Sequence, residues 1–197
     1  MATQKALVLR EYGTTPKLED WPIPELAAGQ ILVELEGSTV NPSDRFLIQG
    51  GYFKIPLPNP AGLEGVGRVI KVNGENVGQW KDKRVSFCTH GGAWSQYIAL
   101  DPNVAIIFEI DGDVELPSAA SGVVNPLTVI GMIHVLNATN GKKGIIHTAA
   151  ASALGRMLNK RCQRMGIPLL NIVRREEQAQ LLKKEGAKHV IITKGNW

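Results

Sequence analysis

Short apolar runs cut up by glycine and proline fill the first 122 positions, and a longer helical periodicity follows them. Segments rich in Val, Ile and Leu at Lys5–Arg10, Gln30–Val40, Val66–Val72, Lys83–Phe87 and Trp94–Ala99 read as strands. Trp21-Pro22-Ile23-Pro24, Pro56-Leu57-Pro58-Asn59-Pro60 and Gly91-Gly92 punctuate them. Short strands with frequent turns predict a barrel or sandwich over residues 1–122. From Pro117 to Leu136 the apolar positions Val123, Leu127, Ile130, Met132 and Ile133 predict a helix. A turn at Asn140-Gly141-Lys142-Lys143 then leads into a strand, Gly144–Thr148. Leu154, Met157, Leu158 and Cys162 recur at helical spacing until Gly166-Ile167-Pro168 breaks the pattern, and Leu169–Val173 gives a second strand. Glu176–Gly186 is an amphipathic helix, and Ala187–Thr193 is a third strand or its start. Consecutive strands joined by one helix predict a parallel, right-handed βαβ unit. The fold class is therefore α/β: a β domain over 1–122, then a parallel βαβ domain over 123–197.

A βαβ unit offers a helix N-terminus and free backbone N–H groups, which suits a pyrophosphate. The turn Ser152-Ala153-Leu154-Gly155 stands at that place. The usual Gly-x-Gly-x-x-Gly is not intact, because Ala149 and Ser152 replace two of its glycines. Gly155 is retained where helix and strand must approach closely. Folds that prefer NAD place an acidic residue near the end of the second strand. This strand ends in Arg174-Arg175, which suits a 2′-phosphate and points to NADPH. The plainer alternative is two solvated arginines, partly neutralised by Glu176 and Glu177.

Composition narrows the class. With 197 residues, 44% hydrophobic and 20% charged, the chain fits a soluble protein of one or two domains. No apolar run reaches about 18 residues, so no membrane span is expected. A strand beginning at Lys5 leaves no room for a targeting peptide. Cys88 and Cys162 give no disulfide framework, which suits a reducing compartment, the cytoplasm by default. Residues 1–122 hold 10 basic against 15 acidic side chains, whereas 123–197 hold 12 against 3. A basic second half fits a phosphorylated cofactor. No aromatic platform interleaves these charges, so nucleic acid is not expected.

Several motifs taken together carry a resemblance. They are Val40-Asn41-Pro42-Ser43-Asp44, Gln49-Gly50-Gly51-Tyr52, Gly62-Leu63-Glu64-Gly65-Val66-Gly67-Arg68-Val69, Gly91-Gly92-Ala93-Trp94-Ser95-Gln96-Tyr97, Asn125-Pro126-Leu127-Thr128 and Ala150-Ala151-Ser152-Ala153-Leu154-Gly155. In this order and spacing the chain resembles the N-terminal part of a medium-chain dehydrogenase/reductase, nearest the zinc-free quinone oxidoreductase and 2-enoyl thioester reductase branch. The resemblance implies a GroES-like β-barrel domain packed on a Rossmann domain, with NADPH in the cleft between them. The zinc-dependent branch has cysteine where Asn41 stands and histidine where Leu63 stands, and neither replacement suits zinc. Cys88 and His90 lack further partners in the sequence, so no metal is expected. In that branch a hydride passes to an activated alkene or a quinone, and the charge developing on oxygen needs a donor. Tyr52 matches the tyrosine that donates to substrate in the enoyl reductases, and its alternative is a loop aromatic without a catalytic part. Asn41 is a candidate to orient substrate or nicotinamide, or a plain turn residue. Asn125 and Thr128 match positions that touch the cofactor near the nicotinamide. His134 and His147, within apolar patterns, are expected in the core.

The resemblance also implies a longer Rossmann domain, so the sequence predicts strands 1 and 2 and at most the start of 3 from the order 3-2-1-4-5-6. One edge of strand 1 would then lack a partner. Two helices would share one sheet face, and the other would be covered only by what the Pro117–Leu136 helix reaches. Such a surface leaves three explanations: a fragment of a longer enzyme, a self-associating homo-oligomer of a truncated protein, or a structural subunit of a larger assembly. Two functions follow: an NADPH-dependent reductase of a small-molecule quinone, enone or enoyl thioester, or an inactive relative serving as a structural or interaction subunit.

Overall fold

A computed structural model describes residues 2–138 and 144–193; the turn expected at Asn140–Lys143 lies outside them. The chain divides into two compact units, Met1–Val123 and Val124–Trp197.

The first unit contains β1 (Thr3–Leu9), β2 (Lys17–Pro22), β3 (Gln30–Ser38), α1 (Pro42–Ile48), β4 (Asn59–Pro60), β5 (Glu64–Asn73), a 3-10 turn (Glu75–Trp80), β6 (Arg84–Cys88), β7 (Tyr97–Leu100), β8 (Ile106–Glu109) and α2 (Leu116–Ala120). Its strands form two antiparallel sheets, β2-β1-β4 and β7-β3-β5-β6-β8. They meet where Ala6 bridges Ser95 and the Leu7 N–H donates to the Trp94 carbonyl at 2.8 Å. Alternate residues point inward, as period-two patterning requires, and Ile31, Val33, Val69, Val85, Phe87 and Leu100 build the core. Besides the short β4 and the 3-10 turn, β2, β8 and α1 escaped the pattern. β2 is a mostly polar edge strand whose Leu18 is exposed. β8 is the edge strand beside β6, with Ile106 and Phe108 exposed. Asn41-Pro42, read as a turn, begins α1: Asn41 is its N-cap and Pro42 its first residue, where a missing N–H costs nothing.

The second unit contains α3 (Val124–Ala138), β9 (Ile145–His147), α4 (Ala153–Met165), β10 (Leu169–Val173), α5 (Glu176–Lys184) and β11 (His189–Ile192). The three strands are parallel, in the order β11-β10-β9, and β11 pairs along its length with β10. The helix expected from Pro117 to Leu136 is two helices, α2 and α3. Between them the Val123 N–H leaves the helical ladder and donates to buried Glu64 Oε1 at 2.9 Å. Pro126 falls in the first turn of α3, where helical N–H groups have no intrahelical partner.

Register sorts the sheet's side chains. Ile145 lies opposite Leu169, and His147 and Val190 lie opposite Asn171. On this face Val129 and Ile133 of α3 pack with Leu158 and Cys162 of α4 and with Leu169. Ala179 and Leu182 of α5 pack with Val173 and Ala150. All three helices thus cover one face. The opposite face, expected to be covered only as far as the helix before β9 could reach, gains no cover from α3, because Val129 and Ile133 turn it toward α4. The opposite face carries Ile146, Leu170, Ile172 and Ile191, with Ile146 70% exposed and Ile191 46% exposed. His134, expected in the core, is exposed on α3, and His147 is half-buried.

Candidate cofactor and substrate sites

In the second unit a crevice of about 490 Å³ opens beyond the C-terminal ends of β9 and β10, lined by Thr148, Ala149, Ala151, Ser152, Ile172, Val173, Arg174, Gln178 and Thr193. Local geometry makes it. Ala149 takes a left-handed conformation, φ 52°, uncommon for a residue with a Cβ. Ser152 N-caps α4, its Oγ accepting the Gly155 N–H at 3.1 Å. A Cβ on Gly155 would stand 2.3 Å from the Ala150 carbonyl oxygen, so α4 can lie this close to the turn only with glycine there. The retained glycine serves helix–strand approach, as its place in the motif suggests.

The structure sorts the remaining candidates. Ser152 and Arg174 line the crevice. Ala153 and Leu154 form the first turn of α4, and the Leu154 side chain packs with the α3–α4 core, leaving backbone for a ligand. Exposed Arg175 is the N-cap residue of α5 and is not among the lining residues. Gln178 and Thr193 were not anticipated. Gln178 follows Arg174 by one helical turn and accepts its backbone N–H at 3.2 Å, a relation visible in sequence only once α5 is placed. Asn125 and Thr128 sit half-buried in the first turns of α3, and Thr128 Oγ1 donates to the Val124 carbonyl at 2.7 Å. The small-residue turn, the helix N-terminus and a flanking guanidinium fit a dinucleotide phosphate group.

In the first unit Asn41 rests on two buried carboxylates that sequence reading passed over. Asp44 is 1% exposed; its Oδ2 accepts the Asn41 N–H at 2.6 Å and its Oδ1 the Leu63 N–H at 3.0 Å. Burial pushes the Asp44 carboxyl up, against the two backbone donors, and Glu64 adds to the rise. Glu64 is 0% exposed; its Oε2 accepts Asn41 Nδ2 at 2.8 Å and Thr39 Oγ1 at 3.1 Å, and its Oε1 accepts the Val123 N–H. Burial, and then Glu64, raises the Cys88 thiol. The signal for Glu64 was a glutamate set among the apolar and glycine residues of Leu63-Glu64-Gly65-Val66, and the signal for Asp44 was its place three residues after Asn41, the spacing of a capping box. Among the described residues no group of three or more His, Cys, Asp or Glu side chains is placed to hold a metal ion. Tyr52 is 60% exposed, its ring 4.8 Å from that of Phe53, which stands edge-on to His90. A groove of about 340 Å³ lined by Val40, Asn41, Pro42, Arg45, Phe46 and Gln49 runs beside α1.

Residues 27–110 match the alcohol dehydrogenase GroES-like domain. The chain is 32% identical over 197 residues to the mitochondrial enoyl-[acyl-carrier-protein] reductase of Caenorhabditis elegans, covering 94% of this chain and 56% of that protein. It superposes with a TM-score of 0.83 and 30% identity on a Mesorhizobium loti protein named for NADPH:quinone reductase activity, over 99% of this chain and 61% of that one. Together these matches support membership of the medium-chain dehydrogenase/reductase superfamily. Its fold is that of the superfamily, a GroES-like β domain followed by a parallel-strand domain. The quinone oxidoreductase of Thermus thermophilus, also solved with NADPH, shares the fold at 24% identity and a TM-score of 0.78 over 94% of this chain and 59% of its own. The chain spans about half the length of the curated relatives it matches. No described helix is long and apolar enough to cross a membrane.

Proposed function

We propose that this chain belongs to an NADPH-dependent, zinc-independent oxidoreductase that reduces a small quinone, enone or enoyl thioester. The observation that carries the reading is the crevice beyond β9 and β10, with Ala149 turned left-handed, Ser152 capping α4 and Arg174 on its wall. When bound there, the nicotinamide cofactor supplies the hydride. The protein's own part is positional. Backbone N–H groups at the start of α4 face the pyrophosphate, and Arg174 pairs the 2′-phosphate. Tyr52, whose hydroxyl has no hydrogen-bond partner among the described residues, donates to the substrate oxygen as charge develops on it. The zinc-free reading is supported by Asn41 and by buried Leu63, two side chains that make poor zinc ligands, and by Glu64, whose oxygens already accept three donors. Cytoplasmic residence is our reading from two free cysteines, although the curated relatives are named as mitochondrial.

The test is calorimetry on the 197-residue chain with NADPH, NADH and the Arg174→Ala variant. Binding that favours NADPH, and loses about tenfold or more of that preference in the variant, is expected from a charge-assisted phosphate contact. A folded chain that binds neither nucleotide would rule the reductase reading out for it. A second reading, a structural or interaction subunit or a homo-oligomer built on the same fold, is favoured by one observation: the bare sheet face at Ile146 and Ile191.

A further inference from the structure

Glu64 has no chemical part in the reading above, yet it is buried directly beneath Asn41. We infer that Glu64 is a positioning residue that decides which hydrogen-bonding group residue 41 can show a ligand. An asparagine amide carries two N–H donors and one carbonyl acceptor. Both hydrogens of Asn41 Nδ2 are engaged, one on Glu64 Oε2 at 2.8 Å and the other on Thr39 Oγ1 at 2.9 Å. The Asn41 backbone N–H is taken by Asp44 at 2.6 Å. A ligand reaching residue 41 therefore meets no donor.

The amide cannot simply turn over. Reversal would place its carbonyl oxygen against Glu64 Oε2 and leave a buried carboxylate oxygen short of a donor, a costly exchange. Nor can Glu64 rotate away, since its Oε1 holds the Val123 N–H at 2.9 Å and Thr39 Oγ1 donates to Oε2. The consequence rests on the reductase reading. A developing oxyanion needs a donor, and Asn41 cannot be that donor, which of the two proposed catalytic residues leaves Tyr52. Asn41 can meet a ligand only as an acceptor, through the oxygen that also faces the Asp44 N–H in the α1 capping box.

Proton–nitrogen spectra of the side-chain amides of the full chain test this directly, with Asn41→Ser identifying the Asn41 pair by its absence. In the wild type both Asn41 hydrogens should exchange about tenfold or more slowly than those of a free asparagine. A freely exchanging pair in the folded protein would overturn the inference. Glu64→Gln keeps an oxygen for Val123 but turns an amide toward Asn41, so the Asn41 pair should lose its protection; full retention refutes the mechanism. Should that variant not fold, Thr39→Val should release one hydrogen of the pair and not the other, and two unchanged hydrogens count against it. NADPH calorimetry on the same sample reports on the reductase reading, so the two fail separately.

Discussion

Each unit buries a polar cluster, and the two are satisfied to different degrees. Around Asn41, every carboxylate oxygen of Asp44 and Glu64 accepts at least one hydrogen bond, at distances from 2.6 to 3.1 Å. In the parallel sheet, His147 and Asn171 face each other in register, and Asn171 Nδ2 reaches Asn159 Oδ1 and the His189 carbonyl only at 3.4 Å. Among the described residues His147 Nε2, Asn159 Nδ2 and Asn171 Oδ1 have no hydrogen-bond partner. A satisfied polar cluster specifies one arrangement, while an orphaned one costs about 1–3 kcal/mol per group and must be carried by packing. The first unit is therefore held in detail by its polar groups. The second is held by the apolar contact of Leu158, Cys162, Leu169, Ala179 and Leu182.

The most severe test of that contrast removes the centre of the satisfied cluster. Glu64→Ala strands the Val123 N–H, the Asn41 amide and the Thr39 hydroxyl, and should cost about 3 kcal/mol or more. Trp21, Trp80 and Trp94 lie in the first unit and Trp197 in the second, so a fluorescence-monitored urea midpoint in a Trp197→Phe background reads this loss where it occurs. A shift worth less than about 1 kcal/mol would show that the cluster is ornamental. The matching test in the second unit attacks packing. Gly155→Ala forces α4 away from Ala150 and should cost about 2 kcal/mol, together with any nucleotide binding, by circular dichroism and calorimetry. Unchanged stability would mean that α4 shifts freely and that the close approach is incidental.

These positions also show how far the sequence could be read. The parallel unit was legible because strand, break and helix differ in period, and Gly155 announces its close approach to the turn by position. The sides of its sheet were not, because α3 is apolar nearly all round and its pattern does not say which neighbour Val129 and Ile133 meet. The split into α2 and α3 was hidden for a different reason: its cause, the bond from Val123 to Glu64, spans 59 positions. Asn41 was legible as a special residue, but its hydrogen-bonding state depends on Thr39 and Glu64, which only the fold brings to it. Polar β2 carries no hydrophobic signal because it lies at a sheet edge.

A milder change sharpens the contrast from the unsatisfied side. If the sheet cluster is tolerated rather than required, replacing it with apolar side chains should do little harm, in opposition to Glu64→Ala. Asn159→Leu with Asn171→Val removes both orphaned amide atoms and should leave stability within about 1 kcal/mol of wild type, or above it. A loss as large as that of Glu64→Ala, measured by the same denaturation, would mean that the sheet polar groups specify structure after all.

The smallest effect distinguishes the units by the sign of their response to pH. Burial lowers the His147 imidazole below its ordinary 6.5, so the unfolded chain binds the proton more readily. The contribution of His147 is whole above 6.5 and lost as pH falls through its folded value. Asp44 runs the other way. Burial raises it above 3.8, so its contribution is whole below 3.8 and lost as pH rises through the folded value. Each slope is at most about 1.4 kcal/mol per pH unit. His147→Gln should flatten the acid-side fall in stability between pH 7 and 5 without changing its course at higher pH. Asp44→Asn should remove a decline with rising pH, whatever constant offset the lost hydrogen bonds add. If both variants changed the curve in the same direction, the two buried groups would not be neutralised by burial in the opposite senses their surroundings impose, and the contrast between the units would reduce to packing alone.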